Sequence, residues 1–416
     1  MDRLISFVGV VTMIFIAWLM SYDRRNFPWR VVFWGTGLQL VFAFFILWTD
    51  VGKVVFQWTG DKIAAFLDFT RFGTQFLFDN LARPEYQSTF GFQFAFRILP
   101  TIIFFSAIMS MLYYLGLMQK IVEAIAKVMA KTMGTSGAES LSCSANIFVG
   151  QTEAPLLIRP FIAKATKSEL MAIMCGGFAT VAGGVMAGYI AMGIPAAHLL
   201  AASVMSAPAA LLIAKVILPE KEEPVTRGHV KVPPGKIADD VIEAAAVGAA
   251  DGVKLAVNVA AMLLAFIAII AVINAGMGVI HDALANWLSF PYFPQDLRTL
   301  FGWIFSPLAW LMGVPWKDCV EFGNLLGTKI SINEFIAYVQ LGELIKSGGM
   351  SERSITIATY ALCGFANFSS IAIQIGGIGG MAPERRGDLA KLGLRAMFGG
   401  ALASWMTAAI AGMLIG

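Results

Sequence analysis

Seven stretches of the chain, 4–20, 31–49, 98–118, 170–214, 255–280, 354–382 and 396–416, contain no Asp, Glu, Lys or Arg. A crossing helix needs about 20 predominantly apolar residues. Six of these runs therefore suit one crossing each, and 170–214 holds two, divided at Gly193 and Pro195. That makes eight expected spans. The first run ends in Asp23, Arg24 and Arg25 rather than in a small-residue cleavage site, so it is expected to stay as a helix and not to be removed as a signal peptide. Residues 51–71 are amphipathic and carry Lys53, Asp61, Lys62, Asp68 and Arg71, as a helix lying in the interface would. The run 300–316, interrupted by Pro307, is read as not spanning.

Composition agrees with a bilayer protein. Hydrophobic residues make up 58% of the 416 and charged residues only 14%, against roughly 25% charged in soluble domains. A formal charge of +3 implies no nucleic-acid or polyanion partner. Cys143, Cys175, Cys319 and Cys363 show no CxxC spacing and read as small apolar filler. Lys and Arg favour cytoplasmic loops. Arg24, Arg25 and Arg30, then Lys120, Lys127 and Lys131, then the polar Pro-rich loop 215–236, then Arg385, Arg386 and Lys391 all fall on one side if eight helices cross and both termini lie outside.

Two of the apolar runs resemble each other internally. CGGFATVAGG (175–184) and CGFANFSSIA (363–372) each place Gly, Thr, Asn or Ser where a spanning helix prefers Leu. Some 20 to 30 residues upstream of each lies a short apolar segment with one glutamate, NIFVGQTEAP and KISINEFIAY. One extra crossing separates the copies, so they should run in opposite directions. Inverted repeats with paired broken helices mark secondary transporters, with the substrate near the bilayer midplane.

The upstream segments are too short and polar to cross, and Gly150 and Pro155 suggest two half-helices meeting at a tip. Irregular backbone at membrane depth is tolerated where it is buried in protein or lines a cavity. Gln151, Thr152 and Glu153 would then face a ligand, with Glu334, Asn367, Ser370 and the Phe365 ring opposite. Gln and Asn donate and accept, hydroxyls do both, and ionised Glu only accepts. Such a set fits a small, uncharged, polyhydroxylated molecule with a planar ring. An intramembrane carboxylate is costly and usually functional. The competing structural role is an ion pair with Arg159 for Glu153 or Lys329 for Glu334, at separations of six and five residues that stack poorly on one helix face. His198, His229 and His281 fall in expected loops, and no GxxxxGK phosphate loop occurs.

On the stretches NIFVGQTEAPLLIRPF, CGGFATVAGGVMAGY, INEFIAY, CGFANFSSIAI and APERRGD, the sequence resembles the concentrative nucleoside transporter family over nearly its whole length. The resemblance implies an all-α integral membrane protein: eight transmembrane helices, two re-entrant hairpins and an interfacial helix in an inverted repeat with broken helices. It implies a homotrimer in the inner membrane that imports a uridine-like nucleoside with sodium by an elevator motion; proton coupling is the alternative. The scaffold would comprise 1–118 and 241–298, and the transport domain 119–218 and 299–416, with 219–240 as a cytoplasmic loop. Carried over by position, Gln151, Thr152 and Glu153 would meet the nucleobase, Val185 and Phe365 would pack on it, and Glu334, Asn367 and Ser370 would hold the ribose. Sodium would sit near Asn146, Val149, Thr180 and Val181. A channel would need a pore lined by rings of charge or carbonyls, and a hydrolase an activated nucleophile with a base in reach. Ser142 and Ser144 have no histidine at membrane depth in this reading, so no enzyme is expected.

Overall fold

The computed structural model describes residues 2–91, 93–228, 231, 238–288, 290 and 292–415. His229 and the Pro-rich stretch 232–237 of the expected cytoplasmic loop lie outside the described residues. In chain order the helices are α1 (Asp2–Leu19), α2 (Trp29–Trp48), α3 (Asp50–Asp68), α4 (Thr70–Phe78), α5 (Gln87–Phe90), α6 (Phe94–Arg97), α7 (Leu99–Tyr114), α8 (Leu117–Met133), α9 (Gly137–Ala145), α10 (Arg159–Ile162), α11 (Lys167–Ala179), α12 (Gly183–Ala191), α13 (Ala196–Ile217), α14 (Val241–Leu288), α15 (Leu297–Leu311), α16 (Cys319–Ser331), α17 (Glu334–Ser347), α18 (Glu352–Leu362), α19 (Phe368–Met381) and α20 (Arg386–Leu414). The described residues contain no strand.

Among the described residues, seven helical stretches are long and apolar enough to cross a membrane: Asp2–Leu19, Trp29–Trp48, Phe94–Tyr114, Lys167–Ala191, Ala196–Ile217, Val241–Trp287 and Pro383–Leu414. They coincide with expected spans one to six and eight. The remaining run, 354–382, is divided into α18 and α19, and neither half is long enough to cross alone. Lys167–Ala191 is likewise divided, by the extended residues Thr180 and Ala182 between α11 and α12. Both breaks fall where the sequence substitutes Gly, Thr, Asn and Ser for aliphatic residues. The link 192–195 between α12 and α13 turns at Gly193, with φ +99, and Pro195 caps α13.

Two elements and the placement of two histidines differ from the sequence reading. α8 is a separate amphipathic helix after span three. Val122, Ala126, Met129 and Met133 are buried along one face while Lys127 and Lys131 stand outside it, a spacing of about 3.6 that a charged run disguises. α14 extends 48 residues instead of the 26 of the uncharged run; at 1.5 Å per residue it is about 72 Å long, beyond the ~30 Å hydrocarbon core. Its Ala-rich first turns favour helix despite Glu243, Asp251 and Lys254. Finally, His198 and His281 lie within α13 and α14, not in loops.

The buried body is formed by α11, α13 and α20, against which α1, α2 and α18 pack. α7 and α14 pair with each other outside it. At Gly248 and Gly252 a Cβ would come within 2.6 and 2.7 Å of α7 backbone atoms, so the glycines set that close approach. α15 lies along α16, and the short α12 touches α7. The two breaks meet inside the body: Phe365 N donates to Thr180 O at 3.3 Å. Gly364 has φ +133, and a Cβ there would lie 2.5 Å from Phe178 O. Only glycine accepts both conditions.

Candidate functional site

The first hairpin starts at α9, whose N-cap Ser136 accepts from Glu139 N while the Glu139 carboxylate accepts from Ser136 N, a capping box. α9 ends at Asn146, and irregular turns carry the chain through Gly150 to a 3₁₀ turn at Ala154–Ile158. Gly183 N donates to Phe148 O at 3.0 Å, tying this tip to the start of α12. In the second hairpin, α16 and α17 pack on each other and are separated by Ile332 and Asn333. Asn333 caps α17 by accepting from Ile336 N at 2.9 Å, which leaves Glu334 in the first turn, where the helix dipole favours a carboxylate. Asp318 fastens this hairpin to the start of α18. Its Oδ2 accepts from Ser351 Oγ and Ser354 Oγ, each at 2.6 Å. Burial opposes ionisation there, but these hydroxyls and the Ser351 amide outweigh it and hold the carboxyl below its ordinary range.

Hairpins and breaks bring four of the eight expected substrate residues together: Gln151, Glu334, Asn367 and Ser370. Glu334 is buried and accepts from Tyr189 OH at 3.1 Å and from Asn367 Nδ2 at 3.2 Å. Asn367 also caps α19, its Oδ1 accepting from Ser370 N at 2.9 Å. Gln151 reaches across from the first hairpin and donates to Ser370 Oγ at 3.2 Å. Gln374 Nε2 lies 3.0 Å from Gln151 Oε1 and donates to it. A polar chain thus runs from hairpin one through α19 to hairpin two and α12. Neither Glu334 nor Glu153 forms an ion pair among the described residues, so the structural pairings with Lys329 and Arg159 are not made.

Other expected residues lie apart from that chain. Glu153 is exposed, accepts from Thr152 Oγ1 at 3.1 Å and folds back over Gly150. Thr152 packs its methyl against Gly377. Val185 is buried in the first turn of α12, and Phe365 is half-buried in the second break. A cavity of ≈ 270 Å³ lined by Asp68, Arg71, Arg97 and Ile190 shares none of these residues.

The expected ion ligands lie on the first hairpin, Asn146 and Val149, and in the first break, Thr180 and Val181. Asn146 is fully buried; its Nδ2 donates to Ser142 O at 3.0 Å, while among the described residues its Oδ1 has no hydrogen-bond partner, nor do Ser142 Oγ and Ser144 Oγ. Thr180 Oγ1 donates to Gly176 O at 2.9 Å, and a Cβ at Gly176 would lie 3.3 Å from Asn146 Nδ2, so Asn146 and Thr180 bracket one glycine. Val149 is half-buried and Val181 fully buried beside them in sequence. Unpartnered neutral oxygens suit a hard monovalent cation. Among the described residues no cluster of His, Cys, Asp and Glu could hold a metal.

Sequence reasoning missed Tyr189, Gln374 and Tyr338. Tyr189 stacks on Tyr338 with ring centroids 4.2 Å apart. Tyr189 stands four residues after Val185, and Gln374 four after Ser370, so helical periodicity from residues already singled out would have found both.

Comparisons with known proteins decide the family. Residues 198–412 match the family model described as Na+ dependent nucleoside transporter C-terminus, residues 8–81 the corresponding N-terminus, and residues 95–196 a model described as nucleoside recognition. The chain belongs to the Na+ dependent nucleoside transporter family. It is 45% identical over 422 residues to an uncharacterized transporter of Haemophilus influenzae, covering 100% of this chain and 99% of that one. To sodium/nucleoside cotransporter 1 of Mus musculus it is 44% identical over 429 residues, covering 99% of this chain but 64% of the relative, so it spans about two thirds of that protein's length. Among solved structures, CNTnw in an inward-facing substrate-bound state superposes with TM-score 0.92 at 42% identity, covering 100% of this chain and 98% of the other. A doubly substituted CNTnw in an outward-facing state gives 0.94 at 41%, covering 100% and 99%. These relatives are transporters rather than enzymes, and the all-helical architecture is theirs.

Proposed function

We propose that the protein is a sodium-coupled symporter that imports nucleosides of the uridine type across the inner membrane. The observation that carries this reading is Glu334. It is a buried carboxylate whose partners are a phenol and an amide, with no cation in ion-pair range among the described residues. A buried charge without a counter-ion is expensive unless a ligand uses it. A ribose offers two adjacent hydroxyls, and a carboxylate accepts both through charge-assisted bonds. In this reading Asn367 and Ser370 complete the ribose contacts, Gln151, Thr152 and Glu153 read the base, and Val185 and Phe365 pack on its faces. Sodium is held by the Asn146 and Thr180 oxygens with carbonyls of Val149 and Val181. Because one hairpin tip carries both ligand sets, each ligand raises the affinity of the other by linkage.

Alternating access is proposed to proceed as an elevator. The paired α7 and α14 serve as scaffold, and the body holding both hairpins and both breaks moves against them. The packing of α1 and α2 on α13 and α20 argues that these two helices travel with the mobile body, which shifts them from the scaffold expected from the sequence. A homotrimer would cover the apolar side chains that α14 exposes, such as Val257, Leu264 and Val272. Both chain ends are placed outside. Proton coupling is the second reading, favoured by one fact: Glu334 is a buried acid with no ion-pair partner among the described residues, and in that reading it carries the proton itself. Binding isotherms test the ribose assignment, since 2′,3′-dideoxyuridine should bind far more weakly than uridine. Equal affinity would remove Glu334 from the substrate site.

A further inference from the structure

Both repeats put a polar side chain in one corresponding place. Asn146 and Lys329 lie at the end of the first helix of their hairpins, α9 and α16, each five residues before the residue that enters the polar chain (146 to 151, 329 to 334). Each lies against the end of the first half of a broken helix: Asn146 beside Gly176 of α11, Lys329 beside Ala361 of α18. Both are completely buried. Their chemistry differs. Asn146 leaves oxygens open, its own Oδ1 and the hydroxyls of Ser142 and Ser144. Lys329 fills its surroundings: Nζ donates to Ala361 O at 2.8 Å, to Ser404 Oγ at 3.0 Å and to Cys363 O at 3.5 Å. A lysine ammonium has three donors, and these are three acceptors. Two are carbonyls released where α18 ends, the third a hydroxyl. That is the neutral oxygen set a broken helix offers an alkali cation. No carboxylate lies within ion-pair range of Lys329 among the described residues, so every group in direct contact with its ammonium is a neutral oxygen.

We propose that the Lys329 ammonium is a tethered cation occupying, in the second repeat, the counterpart of the first repeat's sodium site. One sodium then accompanies each nucleoside, and replacing Lys329 with a small neutral side chain opens a second sodium site. The proposal rests on the sodium-coupled reading above and extends it to stoichiometry. Lys329 is a positioning residue: it holds the carbonyls of the second break, from which Asn367 and Ser370 project toward the ligand, in one arrangement whether or not sodium is present.

Thermal stability of the purified protein, measured as sodium chloride replaces choline chloride at constant ionic strength, separates the two sites. Wild type should show a one-site sodium response, Asn146→Ala none, and the double variant Asn146→Ala/Lys329→Ser should regain one, because ion binding to the folded state alone raises stability. In uptake assays Lys329→Ser should raise the Hill coefficient for sodium from about 1 to about 2. Lys329→Met, which fills the space without offering oxygens, should add no sodium response. If Lys329→Ser adds nothing to its parent in either assay, the proposal fails. If Asn146→Ala keeps its sodium response, the first-repeat site is misassigned, while the increment from Lys329→Ser still decides for or against the tethered cation. If Lys329→Ser is stable only in sodium, the proposal is supported. If it is stable in neither salt, the wild-type coupling ratio decides: one sodium per uridine supports it, and two overturns it.

Discussion

Buried charge is handled in opposite ways in two regions of this molecule. Where the N-termini of α9 and α11 meet the end of α13, Lys215 Nζ lies 2.7 Å from Glu139 Oε2 and 3.2 Å from Glu220 Oε2 and donates to Ser168 Oγ at 2.8 Å. Glu169 accepts from Ser136 Oγ at 2.5 Å and from Thr166 N at 2.8 Å. Thr226 O and Oγ1 accept from Gly137 N and Ala138 N, so the loop before α14 closes the end of the first hairpin. Nearly every group there is matched to another within the chain. On the hairpins beside the helix breaks the matching is incomplete: among the described residues Glu334 has no cation in ion-pair range, and Asn146 Oδ1 has no donor. The contrast separates architecture from function. A satisfied cluster fixes how the hairpin is anchored; the unsatisfied groups are where the proposed ligands would complete the structure.

Breaking the matched region should have the largest energetic effect and leave recognition alone. Lys215→Met removes the cation shared by Glu139 and Glu220, and loss of one partner of a buried pair costs about 3–5 kcal/mol. Thermal unfolding should register that loss, while the uridine affinity of protein that remains folded stays close to wild type. Glu334→Gln should do the reverse. It keeps the shape and the bonds to Tyr189 and Asn367 within reach, yet weakens uridine binding by about 10- to 100-fold, as a charge-assisted bond worth ~1.5–3 kcal/mol is lost. Intact expression and oligomer size with crippled binding would sharpen the comparison; unfolding would erase it. The smallest effect belongs to Gln151→Ala, which removes a neutral hydrogen-bonding group worth about 1 kcal/mol, or roughly fivefold in affinity. A loss for Gln151→Ala larger than that for Glu334→Gln would mean that the base, not the ribose, dominates recognition.

Particular residues show how far the sequence carries. The two breaks were legible because Gly, Thr, Asn and Ser interrupt runs in which every other constraint selects aliphatics. The hairpins were legible because GQTEAP and INEF place a carboxylate, and in the first case a proline, where a crossing helix has no use for them. What the sequence does not encode locally is which distant groups meet. Tyr189 and Glu334 are 145 residues apart, and Gln151 and Gln374 are 223 apart; no periodicity links them. Lys329 looked like a counter-ion for Glu334 by proximity, yet helix geometry points its ammonium at the end of α18 instead. α14 exceeded its apolar run because helix propensity continues past the membrane boundary that hydropathy marks.

The proposed coupling, in which an inward sodium gradient drives nucleoside accumulation through the incompletely matched Asn146 and Glu334, has a direct test. Uptake of radiolabelled uridine into proteoliposomes, with sodium and proton gradients imposed separately, tests it most directly. A sodium gradient at equal pH should concentrate uridine inside, Asn146→Ala should abolish that accumulation, and a proton gradient without sodium should give only equilibration. Accumulation driven by protons alone and indifferent to sodium would contradict the account.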